Sequence, residues 1–172
     1  DIFASELNAK YKVNAVGFSI NITDEKAIEH NVQQLIERFG KIDGLVNNAA
    51  NNPKVEDSKK LNFSRLENFP LNIWADDLAV GLTGSFLCAK HYGFAISKNP
   101  NGGSIVNISS DLGLIAPDQR LYSKTGIASN KQSVKPVTYS VVKTGLIGLT
   151  RYGSAGLRLL RKLKAILRSS FL

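Results

Sequence analysis

Two apolar rhythms alternate along this chain, and that alternation constrains its fold more than any other feature. Residues 12–20, 42–47 and 103–109 are short stretches rich in Val and Ile, of the kind that suits a strand. Between the first two, Ala27, Ile28, Val32, Leu35, Ile36 and Phe39 recur at three-to-four spacing. Thr23-Asp24 ahead of them and Gly40 behind them predict a helix over 24–39. A long helix is expected over 72–97, ending in Asn99-Pro100-Asn101-Gly102-Gly103. Another is expected over 137–152, opened by Pro136, whose missing N–H costs nothing in a first turn. The polar stretch 51–70 has room for one short helix near 58–66, and 111–135 reads as irregular. Strands alternating with helices imply an α/β fold built on a parallel sheet. Ligands of such sheets sit beyond the carboxyl ends of the strands, where Asn47–Ala50 and Ser109-Ser110 fall.

Composition narrows the functions open to such a fold. No apolar run approaches the roughly 18–20 residues that span a bilayer. One cysteine, Cys88, excludes an internal disulfide and a cysteine-based zinc site, and the two histidines, His30 and His91, argue against a histidine-rich metal site. No metal is expected. The net charge of +8 suggests a polyanion partner until it is located. Arg151, Arg158, Arg161, Lys162, Lys164 and Arg168 lie in the last 22 residues with no acid among them, so the rest of the chain is near balance. No nucleic-acid partner and no membrane is therefore expected, and the expected location is the cytoplasm.

The chemistry concentrates on Tyr139 and Lys143. At i and i+4 near the start of a helix they share one face, and an ammonium beside a phenol favours the phenolate. The pair alone is a weak signal. It gains weight from its setting: the strand into Asn47-Asn48-Ala49-Ala50, the strand Gly103-Ser-Ile-Val-Asn-Ile-Ser-Ser110, then Gly113, Pro117 and Tyr139-Ser-Val-Val-Lys143. In that order these elements resemble the short-chain dehydrogenase/reductase family over residues 12–152. The stretches 80–88, 110–122 and 134–152 look most like the bacterial oxidoreductases of flagellin-modification and nonulosonic-sugar pathways.

The resemblance implies an incomplete Rossmann-like, doubly wound parallel sheet and hydride transfer between NAD or NADP and an alcohol/carbonyl pair of a small-molecule substrate, such as a sugar derivative. It implies that Tyr139 donates and accepts the proton, that Lys143 holds the nicotinamide ribose and favours the phenolate, and that Ser110, rather than Ser109, hydrogen-bonds the reacting oxygen. Asn47, Asn48 and Ala49 would line the adenosine side and support the sheet, and Asn21-Ile22 would meet the adenine. The family also implies a homodimer or homotetramer. The helices over 72–97 and 137–152 would form its surface, with Gly145 and Gly148 allowing close approach and Val142, Leu146 and Leu149 offering apolar contact.

Four departures from the family pattern stand out. No glycine-rich turn for the pyrophosphate occurs, so the 172-residue chain by itself is expected to bind NAD(P) poorly. The resemblance stops near Tyr152, with no following strand recognisable. The chain thus divides into a partial dehydrogenase domain over 1–152 and a divergent basic tail over 153–172. Leu159, Leu160, Leu163, Ile166, Leu167, Ser170 and Phe171 would fall on one stripe if that tail were helical. Gly81 stands where many relatives carry a relay Asn. The stretch between Ser110 and Tyr139 is longer than is usual, and its Arg120, Lys124, Lys131 and Lys135 could anchor an acidic or phosphorylated substrate. A truncated homologue that acts only as a scaffold or oligomer partner is the competing function. His30, His91, Cys88 and Trp74 are expected to have structural roles.

Overall fold

The computed structural model describes residues 2–51, 64–156 and 163–169, the last seven as backbone. Eight principal elements follow in order: α1 (Ile2–Tyr11), α2 (Glu25–Phe39), β1 (Gly44–Asn47), α3 (Leu71–Leu78), α4 (Ser85–Ser97), β2 (Gly103–Ser109), α5 (Val137–Gly156) and β3 (Leu163–Ser169). The strands form a parallel sheet in the order β1-β2-β3. Leu45 lies beside Ile105, and Ile105 beside Ala165.

Local sequence accounts for the ends of α2. The Asp24 carboxylate accepts from the N–H groups of Lys26 and Ala27, and Gly40 closes the helix at φ 79°, a left-handed conformation that glycine adopts without strain. Ile28 is fully buried and packs with Leu87 and Cys88 of α4, joined by Ile22, Leu45 and Tyr92. A second cluster sets Ile96 of α4 against Ile105 of β2. Leu45, Asn47, Ile105, Asn107 and Ser109 turn toward this helical layer, whereas Val46, pointing the other way, is 62% exposed. Glu25 accepts from Lys90 at 2.6 Å and meets His91 Nε2 at 2.8 Å, which ties the outer edges of α2 and α4 together.

The long helix expected over 72–97 is present with an interruption. Ala79–Gly84 between α3 and α4 is a π-helical turn, and the Ser85 hydroxyl donates to the Gly81 carbonyl at 2.9 Å within it. Extra residues of this kind re-aim a helix face and recur at functional sites.

Two expectations need correction. Residues 12–20 are not a strand: among the described residues they have no ladder partner, and the Asn8 side chain takes both backbone groups of Ala15. A β-rich run without a neighbouring strand has no ladder to join. The end of the chain is also not a helix over its described part, because Leu163–Ser169 pairs with the whole of β2. Its mixture of Leu, Lys and Arg hid a strand that has few β-branched residues. Leu159, Leu160, Ser170 and Phe171, the other members of the supposed stripe, lie outside the described residues, as does most of the short helix expected near 58–66. A single 3-10 turn, Leu66–Asn68, is seen at the end of that stretch.

Candidate active site

The carboxyl ends of β1 and β2 are held to the helices by a buried polar chain. The Asn47 amide donates to the Ser85 carbonyl at 3.2 Å and to Asn107 Oδ1 at 2.8 Å. Asn107 donates to Thr150 Oγ1 at 2.9 Å, and Thr150 donates to the Leu146 carbonyl at 2.7 Å. Two strands and two helices are thereby joined through side chains that could not be left unpaired without cost. The Ser109 hydroxyl continues the linkage, donating to the Lys143 carbonyl at 2.8 Å.

Beyond β2, the chain makes a 3-10 turn over Asp111–Gly113 that presses on α5. A Cβ on Gly113 would sit 2.9 Å from the Lys143 carbonyl carbon, so glycine is what permits this approach. The Thr144 hydroxyl donates to the Gly113 carbonyl at 2.9 Å. These contacts fix the end of β2 against the turn of α5 that carries Tyr139 and Lys143.

Tyr139 and Lys143 border a small pocket with Ala50, Asn51, Asp77, Gly81, Thr138 and Val142. Lys143 is buried; its ammonium donates to the Ile108 carbonyl at 2.8 Å and lies 5.6 Å from the Tyr139 ring centroid. Burial lowers its pKa, and the neighbouring charge of Lys135 lowers it further. The Tyr139 ring is half-buried, and its hydroxyl has no hydrogen-bond partner among the described residues. Next to Tyr139, Thr138 donates to Asp77 of α3 at 2.5 Å, with both side chains buried, which anchors the first turn of α5.

Ser110 stands at the end of β2, where the sequence puts it, with its hydroxyl engaged locally. It donates to Asp111 Oδ1 at 2.7 Å and accepts from the Leu112 N–H at 3.3 Å. Among the described residues no hydrogen bond joins Ser110 to Tyr139. A substrate oxygen would have to draw the Ser110 proton away from Asp111.

The other candidates are spread along the same edge. Asn48 and Ala49 are exposed just past β1, while Asn47 is buried in the polar chain. Asn21 folds back on its own turn, its Oδ1 accepting from the Thr23 N–H at 3.0 Å and hydroxyl at 2.8 Å. Ile22 packs on the core and against Gly84, where a Cβ would fall 2.8 Å from Ile22 Cδ1. Gly81 faces Val142, whose Cγ1 would be 2.6 Å from a Cβ placed there, so the position has no room for a relay side chain. Gly145 does allow a close approach, but to Leu82 of the same chain, and Val142 and Leu146 are buried within the molecule rather than offered to a partner. Cys88 is a core thiol whose pKa burial pushes up to about 11, and among the described residues the only cluster of metal-ligating groups is the Glu25–Glu29–His91 surface set.

The long stretch between Ser110 and Tyr139 is irregular, as expected, but well tied. Gln132 exchanges two bonds of 2.8 Å with the Lys124 backbone, Val134 N–H donates to Ser64 Oγ at 3.0 Å, and Lys135 N–H donates to Gln119 Oε1 at 2.8 Å. Of its four basic residues, Arg120 is exposed and paired with Asp118 at 2.7 Å, Lys124 and Lys131 are exposed, and only Lys135 is buried. Its ammonium sits 3.8 Å from the Tyr139 ring centroid. The sequence counted Lys135 among the loop charges without separating it from the rest; its place next to Pro136 at the mouth of α5 was the available signal. Asn107 was also missed, although its register with Ile105 and Ser109 puts it on the inward face.

The comparisons agree with this architecture. Residues 3–159 match the family model described as Enoyl-(Acyl carrier protein) reductase. The chain is 34% identical over 148 residues to the 3-oxoacyl-(acyl-carrier-protein) reductase FabG of Aquifex aeolicus, covering 86% of this chain and 49% of that protein. It is 27% identical over 145 residues to the post-translational flagellin modification protein A of Campylobacter coli, covering 84% and 52%. Among solved structures, NAD+-bound xylitol dehydrogenase superposes with a TM-score of 0.75 at 23% identity, over 96% of this chain and 54% of that one. ElxO with NADP bound gives 0.70 at 23% identity, over 93% and 55%. The chain belongs to the short-chain dehydrogenase/reductase family. It spans about half the length of the curated relatives it matches.

Proposed function

We propose that the protein is an NAD(P)-dependent oxidoreductase that moves a hydride between the nicotinamide and an alcohol/carbonyl pair of a small molecule, with sugar derivatives as the substrate class. The observation that carries this reading is the placing of Tyr139 and Lys143 on one wall of a pocket at the carboxyl ends of the parallel strands. The residues present fit the ribose and nicotinamide half of such a cofactor. The Lys143 ammonium has donors left beyond the one given to Ile108, and the exposed backbone of Asn48 and Ala49 lies across the same strand ends. When bound, the cofactor supplies or accepts the hydride at the substrate carbon.

The chain's own residues then handle position and proton. In the reducing direction the Tyr139 hydroxyl gives its proton to the oxygen that the hydride leaves negative; in the oxidising direction the phenolate takes it back. Lys143 holds the ribose and supplies a fixed positive charge beside the phenol, while its bond to Ile108 keeps the ammonium from swinging into solvent. Ser110 releases Asp111 to donate to the same substrate oxygen. Gly81 has no side chain and Val142 fills the space beside it, so the long helix supplies no amide at position 81 to pass on the Tyr139 proton.

Absorbance of the reduced nicotinamide, followed with sugar alcohols and with keto sugars against NAD and NADP, tests the reading. Turnover of at least one pair by the full-length protein is expected. Tight cofactor binding with no turnover of any of them would favour the scaffold instead.

A further inference from the structure

We propose that Lys135 forms an anion subsite beside Tyr139, so that the substrate carries a carboxylate or phosphate close to its reacting carbon. The proposal rests on the oxidoreductase reading for the word substrate, but the subsite itself stands on geometry. Two ammonium groups lie near one phenol ring, Lys135 at 3.8 Å and Lys143 at 5.6 Å from its centroid, and both residues are buried. Among the described residues no carboxylate pairs with either of them. The two acids that border the site are engaged elsewhere: Asp77 with Thr138, and Asp111 with Ser110 and the Leu112 N–H.

Two like charges held near one ring without a counter-ion are an unbalanced arrangement, because burial weakens the solvation that would offset their repulsion. The pKa of each is lowered, for Lys135 by burial and for Lys143 by burial and by the Lys135 charge. An anion bound at Lys135 offsets the repulsion and the cost of burial. Lys143 already has a carbonyl acceptor in Ile108, whereas the Lys135 ammonium has none, its one close neighbour being the ring face. Every fully buried side-chain nitrogen or oxygen among the described residues has a partner, so the Lys135 ammonium, which has no hydrogen-bond acceptor, is not completely enclosed. The rest of the residue is fixed: its N–H is held by Gln119, and Pro136 follows directly. A charge on a held stem, rather than on a waving surface lysine, is what a subsite needs. Lys124 and Lys131, exposed in the same stretch, lack all of these features.

Amide chemical-shift titrations of the protein with inorganic phosphate and, separately, with acetate test the proposal without cofactor or turnover. The expected result is saturable shifts centred on Lys135, Tyr139 and Lys143. The anion that binds more tightly identifies the substituent as phosphate or carboxylate. Lys135→Gln should weaken the binding roughly tenfold or more, the usual cost of removing a charged hydrogen-bond partner. Lys135→Arg should stay within about threefold, because the charge is kept, and Lys124→Gln should change nothing. Wild-type shifts confined to exposed lysines, or equal losses for Lys124→Gln and Lys135→Gln, would overturn the subsite. The wild-type map decides even if Lys135→Gln does not fold. Failure of turnover with anion binding intact would overturn the oxidoreductase reading alone.

Discussion

At the scale of single residues, the site is built from a few side chains whose neighbours settle what they can do. Ser110 is the clearest case. Its hydroxyl proton points at Asp111 in this structure, so its part in turnover requires a substrate oxygen that competes for it. Ser110→Ala should lower kcat by roughly a hundredfold or more while leaving cofactor affinity within about twofold, since one donor to a developing oxyanion is worth that much. Steady-state kinetics beside a cofactor titration reads both; an unchanged kcat would remove Ser110 from the mechanism. Tyr139 and Lys143 were legible in the sequence because i,i+4 spacing fixes a shared helix face. Lys135 was legible only as a charge. That it leaves solvent and lies on the Tyr139 ring depends on how the 111–135 stretch is tied to Ser64 and Gln119, contacts of long sequence separation that no local pattern announces.

At the scale of elements, α2, β1, β2 and α5 could be read from the sequence because their caps and apolar periods agree with their packing. The Asp24 cap and the left-handed Gly40 fall where the sequence places them. The failures have physical causes. Residues 12–20 have strand chemistry and no strand beside them, since Asn8 takes the backbone groups of Ala15. Leu163–Ser169 is a strand by virtue of its pairing with β2, not of its composition. The π turn at Ala79–Gly84 is invisible to a period count, since it shifts a helix face by a single residue. The buried chain from Asn47 through Asn107 to Thr150 is the joint that holds these elements in register. Asn107→Ala should reduce stability by about 1–3 kcal/mol, since it leaves one donor of Asn47 and one acceptor site of Thr150 without partners. A urea midpoint that falls with an unchanged slope is the expected result; an unmoved midpoint would show that the chain of amides contributes nothing.

At the scale of the whole molecule, α2, α4 and α5 pack against the sheet, and α4 and α5 each leave large apolar side chains exposed. Phe86 and Phe94 of α4 are 49% and 58% exposed, and Tyr152 of α5 is 76% exposed, with Gly148 open to solvent one turn before it. We propose that these exposed apolar side chains of α4 and α5, rather than the inner residues Val142 and Leu146, are where two copies meet. Sedimentation velocity at micromolar concentration should give a dimer or tetramer that Phe94→Glu dissociates; a monomer at all concentrations would contradict it. No helix among the described residues is long and apolar enough to cross a membrane.

The central claim is that Tyr139 is the acid/base group of a hydride-transfer site whose geometry is set by β2 and α5. Turnover and cofactor affinity measured side by side for Tyr139→Phe in the full-length protein test it most directly. The ring, its packing and the Lys135 and Lys143 ammoniums survive that change, and only the exchangeable proton is lost. Loss of nearly all turnover, roughly a hundredfold or more, with cofactor affinity within a few-fold of wild type is the predicted result. Near-normal turnover in Tyr139→Phe would contradict the account.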